Sequence, residues 1–154
     1  MMPLTLERPA STETIKQLDL ETLLNYRHPH VIKRYQKDFK ATPEVADALF
    51  ADLMRFFYLG YRNRILVEQG LETDYVVAMY PPLLPIDDMW HTFILFTRDY
   101  AEFGQTYFGY FIHHQPNIDD APIPDAEARL RKFLSLVYDE LGEATFTRWF
   151  KAYC

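Results

Sequence analysis

A lone cysteine, at position 154, gives the chain no partner for an internal disulfide and no set of thiolates for a zinc cluster. The fold has to be held by its core, and a reducing, cytoplasmic setting is expected. Glycine is scarce too, with five residues in 154 and no Gly/Ser linker, repeat or low-complexity tract. One helical domain over 11–154 is therefore expected, behind a frayed start at 1–10. No apolar run reaches the ~20 residues needed to cross a bilayer. The most apolar windows, 49–59 and 94–111, both carry charges, and Met1 to Arg8 lacks the basic start and apolar run of a secretory leader. Positive charge is in the minority, leaving a net charge of -6. That balance argues against general nucleic-acid binding, because affinity for phosphate backbones comes from clustered Lys and Arg.

Apolar and aromatic side chains are plentiful, at 49% and 16% of the chain. A chain of this length can bury roughly 70% of the surface it exposes when unfolded, so large rings can build the core without a structural metal. The prolines divide the sequence into helices. Ser11 or Thr12 can cap a helix through Leu24, and Pro29 suits the first position of a second helix through Phe39, with Val31, Ile32, Tyr35 and Phe39 as its apolar side. Thr42-Pro43-Glu44 is a helix start, followed by Val45, Leu49, Leu53, Phe56 and Phe57 at helical spacing. Residues 71–85, ending in Tyr80-Pro81-Pro82 and Leu84-Pro85, read as an irregular connection, because the residue before a proline is pushed out of helical geometry. Asp125 can cap a helix through Leu141 that Gly142 ends, and a last helix carries Phe146, Trp149 and Phe150.

Between these lies the most strongly patterned segment. From Asp87 to Phe108 two adjacent seams of apolar or small residues recur at helical spacing, leaving a narrow polar stripe with His91, Arg98, Glu102 and Gln105. The expected architecture is an all-α bundle of five to seven helices around a central aromatic-rich helix at about 87–108. Trp90, Phe93, Phe96 and Phe103 are expected in its core.

The same segment gathers the chain's chemistry. Asp87, Asp88 and His91 stand at spacings of four and three, which place carboxylate and imidazole on neighbouring positions of a helix. Divalent transition metals accept that pair of ligand types, so zinc, iron or manganese is the expected cofactor if one is bound. His113 and His114 are the candidates for completing the set. A continuous helix would hold residues 91 and 113 about 33 Å apart, so the chain must break or turn back to bring them in. The competing account uses Asp87 as a helix cap, Asp88 as a partner of the helix dipole, and His113 and His114 as partners of free carbonyls. His28 and His30, beside Pro29, are more readily explained by local hydrogen bonds. No nucleophile completes a triad, since Ser135 falls within a core-packed helix and Cys154 has no evident base.

Asp87-x-x-Trp90-His91, with Tyr100, Gly109 and His113 after it, resembles the core of the glycine-rich-domain-containing-protein-like family, known mainly as a domain of unknown function. The likeness covers about a fifth of the chain. Where that family commonly has a further histidine, this sequence has Phe93, and the glycine-rich tail is missing. What the resemblance implies is a helical scaffold around a Trp-His signature, with no substrate attached.

A second expectation comes from Arg27, Lys33, Arg34, Lys37 and Lys40, a basic run in an acidic protein. Lys33, Arg34 and Lys37 form a face that either is simply solvated or meets an acidic protein partner. The sequence thus leaves two readings: a metal-binding protein with hydrolase or oxidoreductase chemistry, and a metal-free interaction module using that face or an aromatic groove.

Overall fold

A computed structural model describes residues 17–116 and 122–153. The acidic pair Asp119 and Asp120, Cys154, and the expected helix start at Ser11 or Thr12 lie outside the described residues. Those that are described form seven α-helices, two 3-10 turns and no β-strand: α1 Leu20–Leu24, α2 Pro29–Phe39, α3 Pro43–Glu68, α4 Leu84–Ile94, α5 Thr97–Tyr107, α6 Ala126–Leu141 and α7 Glu143–Phe150. The fold is all-α. None of these helices is long and apolar enough to cross a membrane.

Local chemistry explains most helix ends. Residues 17–19 are not helical, and α1 begins only after Asp19, whose carboxylate accepts the Thr22 amide at 2.7 Å. That backbone hydrogen bond holds the Asp19 carboxyl below its ordinary pKa. Pro29 opens α2, and Lys40 closes it in the left-handed conformation (φ 52). Thr42 caps α3 by accepting the Val45 amide at 3.2 Å, and the helix runs on through Gly60. Two side chains depart from expectation. Val45 is 51% exposed because the buried stripe begins beside it at Ala46 and continues through Phe50. Phe39, at the far end of α2, is 46% exposed and stacks on Tyr35 at 4.5 Å.

The central helix is not continuous. It breaks at Leu95–Phe96 into α4 and α5, where Phe96 takes φ -89, ψ 65. Neither glycine nor proline marks the break; tertiary contacts make it. In one helix residues 90 and 100 would lie about 15 Å apart along the axis. Here the Trp90 indole donates to the Tyr100 hydroxyl at 2.9 Å, and Phe93 meets Phe103 at 5.3 Å. Folding α5 back on α4 lets the two helices bury their rings against each other.

Contacts among the described residues divide the chain into two units. One comprises 17–58 and 84–113. Its core is aromatic: Tyr26 lies 4.7 Å from Phe103, Phe50 lies 5.8 Å from Phe93, and Phe57 meets Trp90 edge-on at 5.4 Å. Offset and edge-on ring pairs of this kind add ~0.5–1.5 kcal/mol each beyond their area. Trp90, Phe93 and Phe103 are fully buried as expected, whereas Phe96 is half-buried and leans on the His28 ring at 5.3 Å. Burial also pushes the Tyr26 hydroxyl up to about 12, assisted by the Asp99 charge.

The other unit comprises 59–83, 114–116 and 122–153. In it α6 packs on α7, and Tyr80 stacks on Phe133 at 4.6 Å. Buried Asn63 accepts the Val76 and Val77 amides at 2.7 and 3.4 Å and donates to the Asp74 carbonyl at 2.9 Å. One amide side chain thereby serves the backbone of an extended segment. Lys132 reaches Glu72 at 2.9 Å and Asp74 at 3.3 Å, and its hydrogen bond holds the Glu72 carboxyl below its ordinary pKa.

Candidate metal centre

The 3-10 turn Pro81–Leu83 leads directly into α4, which begins at Leu84 with Pro85 in its first turn, where a missing amide hydrogen costs nothing. Asp87 is therefore inside the helix and not its cap. It is 7% exposed, and its first-turn position places a carboxylate at the positive end of the helix. His91 follows one turn later, 52% exposed, with Nε2 3.5 Å from Oδ2 of Asp87.

The turn back that the sequence required is made by the α4–α5 break and by the segment after α5. The Tyr100 hydroxyl receives the Trp90 indole N–H and donates to the Ile112 carbonyl at 2.6 Å. Gly104 permits the approach: a Cβ there would stand 2.6 Å from the Tyr110 carbonyl oxygen. Residue 112 is thus tied beside Trp90, and His113 and His114 follow it in the chain. Asp87, His91 and His114 each offer one ligand atom, and these atoms all lie within 4.8 Å of one another. Two ligands on one tetrahedral ion at ~2.1 Å would be about 3.4 Å apart, close to the 3.5 Å between His91 Nε2 and Asp87 Oδ2. One carboxylate oxygen and two imidazole nitrogens are the ligand types that zinc, iron and manganese accept, whereas magnesium and calcium prefer oxygen alone.

The remaining candidates go elsewhere. Asp88 is outside the three-residue group. Burial pushes its carboxyl above the ordinary value, Asp87 adds to the shift and His91 opposes it; burial likewise raises the Tyr35 hydroxyl, with the Asp88 charge adding to it. His113 is also outside and sets its ring edge-on to Phe111 at 4.7 Å. His28 is occupied locally, with Nδ1 accepting the Val31 amide at 3.2 Å and Nε2 against Asp99 at 2.7 Å. That pairing assigns the Nε2–H tautomer, because only an unprotonated Nδ1 can accept.

On α2, Lys33, Arg34 and Lys37 are exposed, and Arg34 pairs with Asp38 at 2.8 Å. Beside them is a shallow cleft of about 580 Å³ lined by Arg27, Pro29, Ile32, Gln36, Pro43 and Asp47, in which Arg27 and Asp47 are paired. Tyr100 and Gly104 are site-building residues whose contacts sequence reasoning did not read: both counted as members of an apolar seam, Tyr100 also as part of the family resemblance and Gly104 as a possible helix break. A small residue amid large rings was the one signal of a close backbone approach, and nothing in the spacing indicated the hydroxyl's partners.

No curated protein and no solved structure matches this chain. A family model does match, over residues 19–140, and spans the whole of α4, α5 and the histidine pair. Its name is UCP032817-like, so the glycine-rich-domain name is not confirmed, while a family of unknown function is. The chain belongs to the UCP032817-like family.

Proposed function

We propose that this protein binds one divalent transition-metal ion, zinc, iron or manganese, through Asp87, His91 and His114 and uses it in hydrolytic or redox chemistry. The observation that carries this reading is that Asp87 and His91 of α4 and His114 each offer a ligand atom, all within 4.8 Å of one another. Three protein ligands leave coordination positions for water or substrate, the arrangement of catalytic sites and not of closed structural ones. A zinc ion there would supply an activated water, and iron would supply redox chemistry. Elemental analysis of protein purified without a histidine tag tests it. Stoichiometric metal that is lost in both His91→Ala and His114→Ala supports the reading. A folded protein that takes up none of the three metals at micromolar concentration overturns it.

The interaction reading keeps one supporting observation, the exposure of Lys33 and Lys37 beside the α2–α3 cleft. Such charges act mainly on association rate and salt dependence. Reversing Lys33 and Arg34 to Glu should slow capture of an acidic partner at low salt with little change in the unfolding midpoint. Unaltered capture would make this face merely solvated.

A further inference from the structure

Most of the buried aromatic residues around α4 are explained by packing alone, but the Tyr100 hydroxyl is not. Tyr100 is 2% exposed, and a phenylalanine would fill nearly the same volume. A buried hydroxyl is unfavourable unless both its hydrogen-bonding roles are met. Both are met here, by partners on two different elements: Trp90 Nε1 on α4 at 2.9 Å, and the Ile112 carbonyl after α5 at 2.6 Å. Trp90 immediately precedes His91, and Ile112 is two residues before His114. The hydroxyl therefore joins the helix that carries Asp87 and His91 to the arm that carries the distal histidine.

Other contacts hold the same arm. The Phe111 ring meets Tyr100 edge-on at 5.5 Å and His113 at 4.7 Å. Gly104, one helical turn after Tyr100, is 2.6 Å at its would-be Cβ from the Tyr110 carbonyl oxygen, so residues 110–112 lie directly on the α5 backbone. Ile112 itself is 2% exposed. A segment fixed at successive residues has few conformations left to lose when a ligand binds, which is the general basis of preorganisation.

We infer that Tyr100 is the positioning residue of the metal centre, its hydroxyl fixing the arm from Ile112 so that His114 is presented to the ion beside Asp87 and His91. This inference rests on the proposed metal function and extends it to a residue that touches neither the ion nor any substrate. Outer residues that orient ligands typically change metal affinity by about 10–100-fold when removed.

The test compares Tyr100→Phe with the parent protein, using zinc and cobalt ions alone as probes. Zinc affinity should fall about 10–100-fold with helix content unchanged, and the visible absorption of the cobalt-loaded variant should change as one imidazole is lost. Without metal, amide hydrogen exchange at 112–114 should quicken in Tyr100→Phe, whereas in His91→Ala zinc binding should be lost with exchange there unaltered. Trp90→Phe, which removes the donor but keeps the bond to Ile112, serves as a second variant and should show a smaller loss of affinity. Parent-like zinc affinity and cobalt spectrum in Tyr100→Phe would overturn the inference, whatever its melting temperature. A parent protein that binds neither ion would overturn the metal function, and the positioning role with it.

Discussion

Trp90 shows how one side chain serves packing and order together. Its ring is 2% exposed, stands edge-on to Phe57 at 5.4 Å, and also contacts Phe56 at 5.8 Å. Trp90→Ala should lower stability by about 3–5 kcal/mol, because it removes buried ring surface and leaves a cavity. Chemical denaturation would measure this, and an unchanged midpoint would contradict the burial. Gly104 fails in the opposite way. Its Cβ would meet a backbone oxygen, which cannot rotate aside as the end of a side chain can, so Gly104→Ala should cost about 1–3 kcal/mol as overpacking. The comparison that decides is Ala101→Gly on the half-buried face of the same helix, where only the ordinary helix propensity of ~1 kcal/mol is at stake.

For the helices, the sequence was readable at several boundaries that a local signal sets, although the Asp19 cap of α1 and the Leu84-Pro85 start of α4 were missed. Pro29, Thr42-Pro43 and Gly142 all mark ends that the fold uses, since cap and proline chemistry act within one turn. It was unreadable where distant rings decide. The α4–α5 break has no punctuation, and the 22-residue apolar pattern fits one helix as well as two, because each half keeps the same face buried. The site followed suit: Asp87 and His91 are joined by helical spacing and were legible, while the arrival of His114 depends on a turn that only packing creates. The His28 cap can be tested at this scale. His28→Ala removes the acceptor for the Val31 amide and should destabilise α2 by about 1 kcal/mol, whereas His28→Asn should recover much of it, as followed by thermal unfolding.

At the scale of the whole chain, the proposed metal would link binding to folding. An ion that binds only the folded state adds stability of RT ln(1 + [L]/Kd), about 2.7 kcal/mol at a hundredfold excess over Kd. Zinc at that level should raise the unfolding midpoint, a chelator should reverse the rise, and His91→Ala should be insensitive to both. Equal shifts in parent and variant would place the ion elsewhere.

Asn63 has a consequence for how this protein fails. The segment it serves, Tyr75-Val-Val-Ala-Met-Tyr80, has high β-propensity and no charge, the composition of a cross-β zipper. The described residues hold no β-strand beyond an isolated bridge at Ala78, and free amides along such a segment would template pairing with another chain. By accepting from Val76 and Val77, the side chain of Asn63 blunts that edge from within. Asn63→Leu should therefore do more than lower stability: under mildly destabilising conditions it should form thioflavin-positive aggregates that an equally destabilised Phe93→Ala does not.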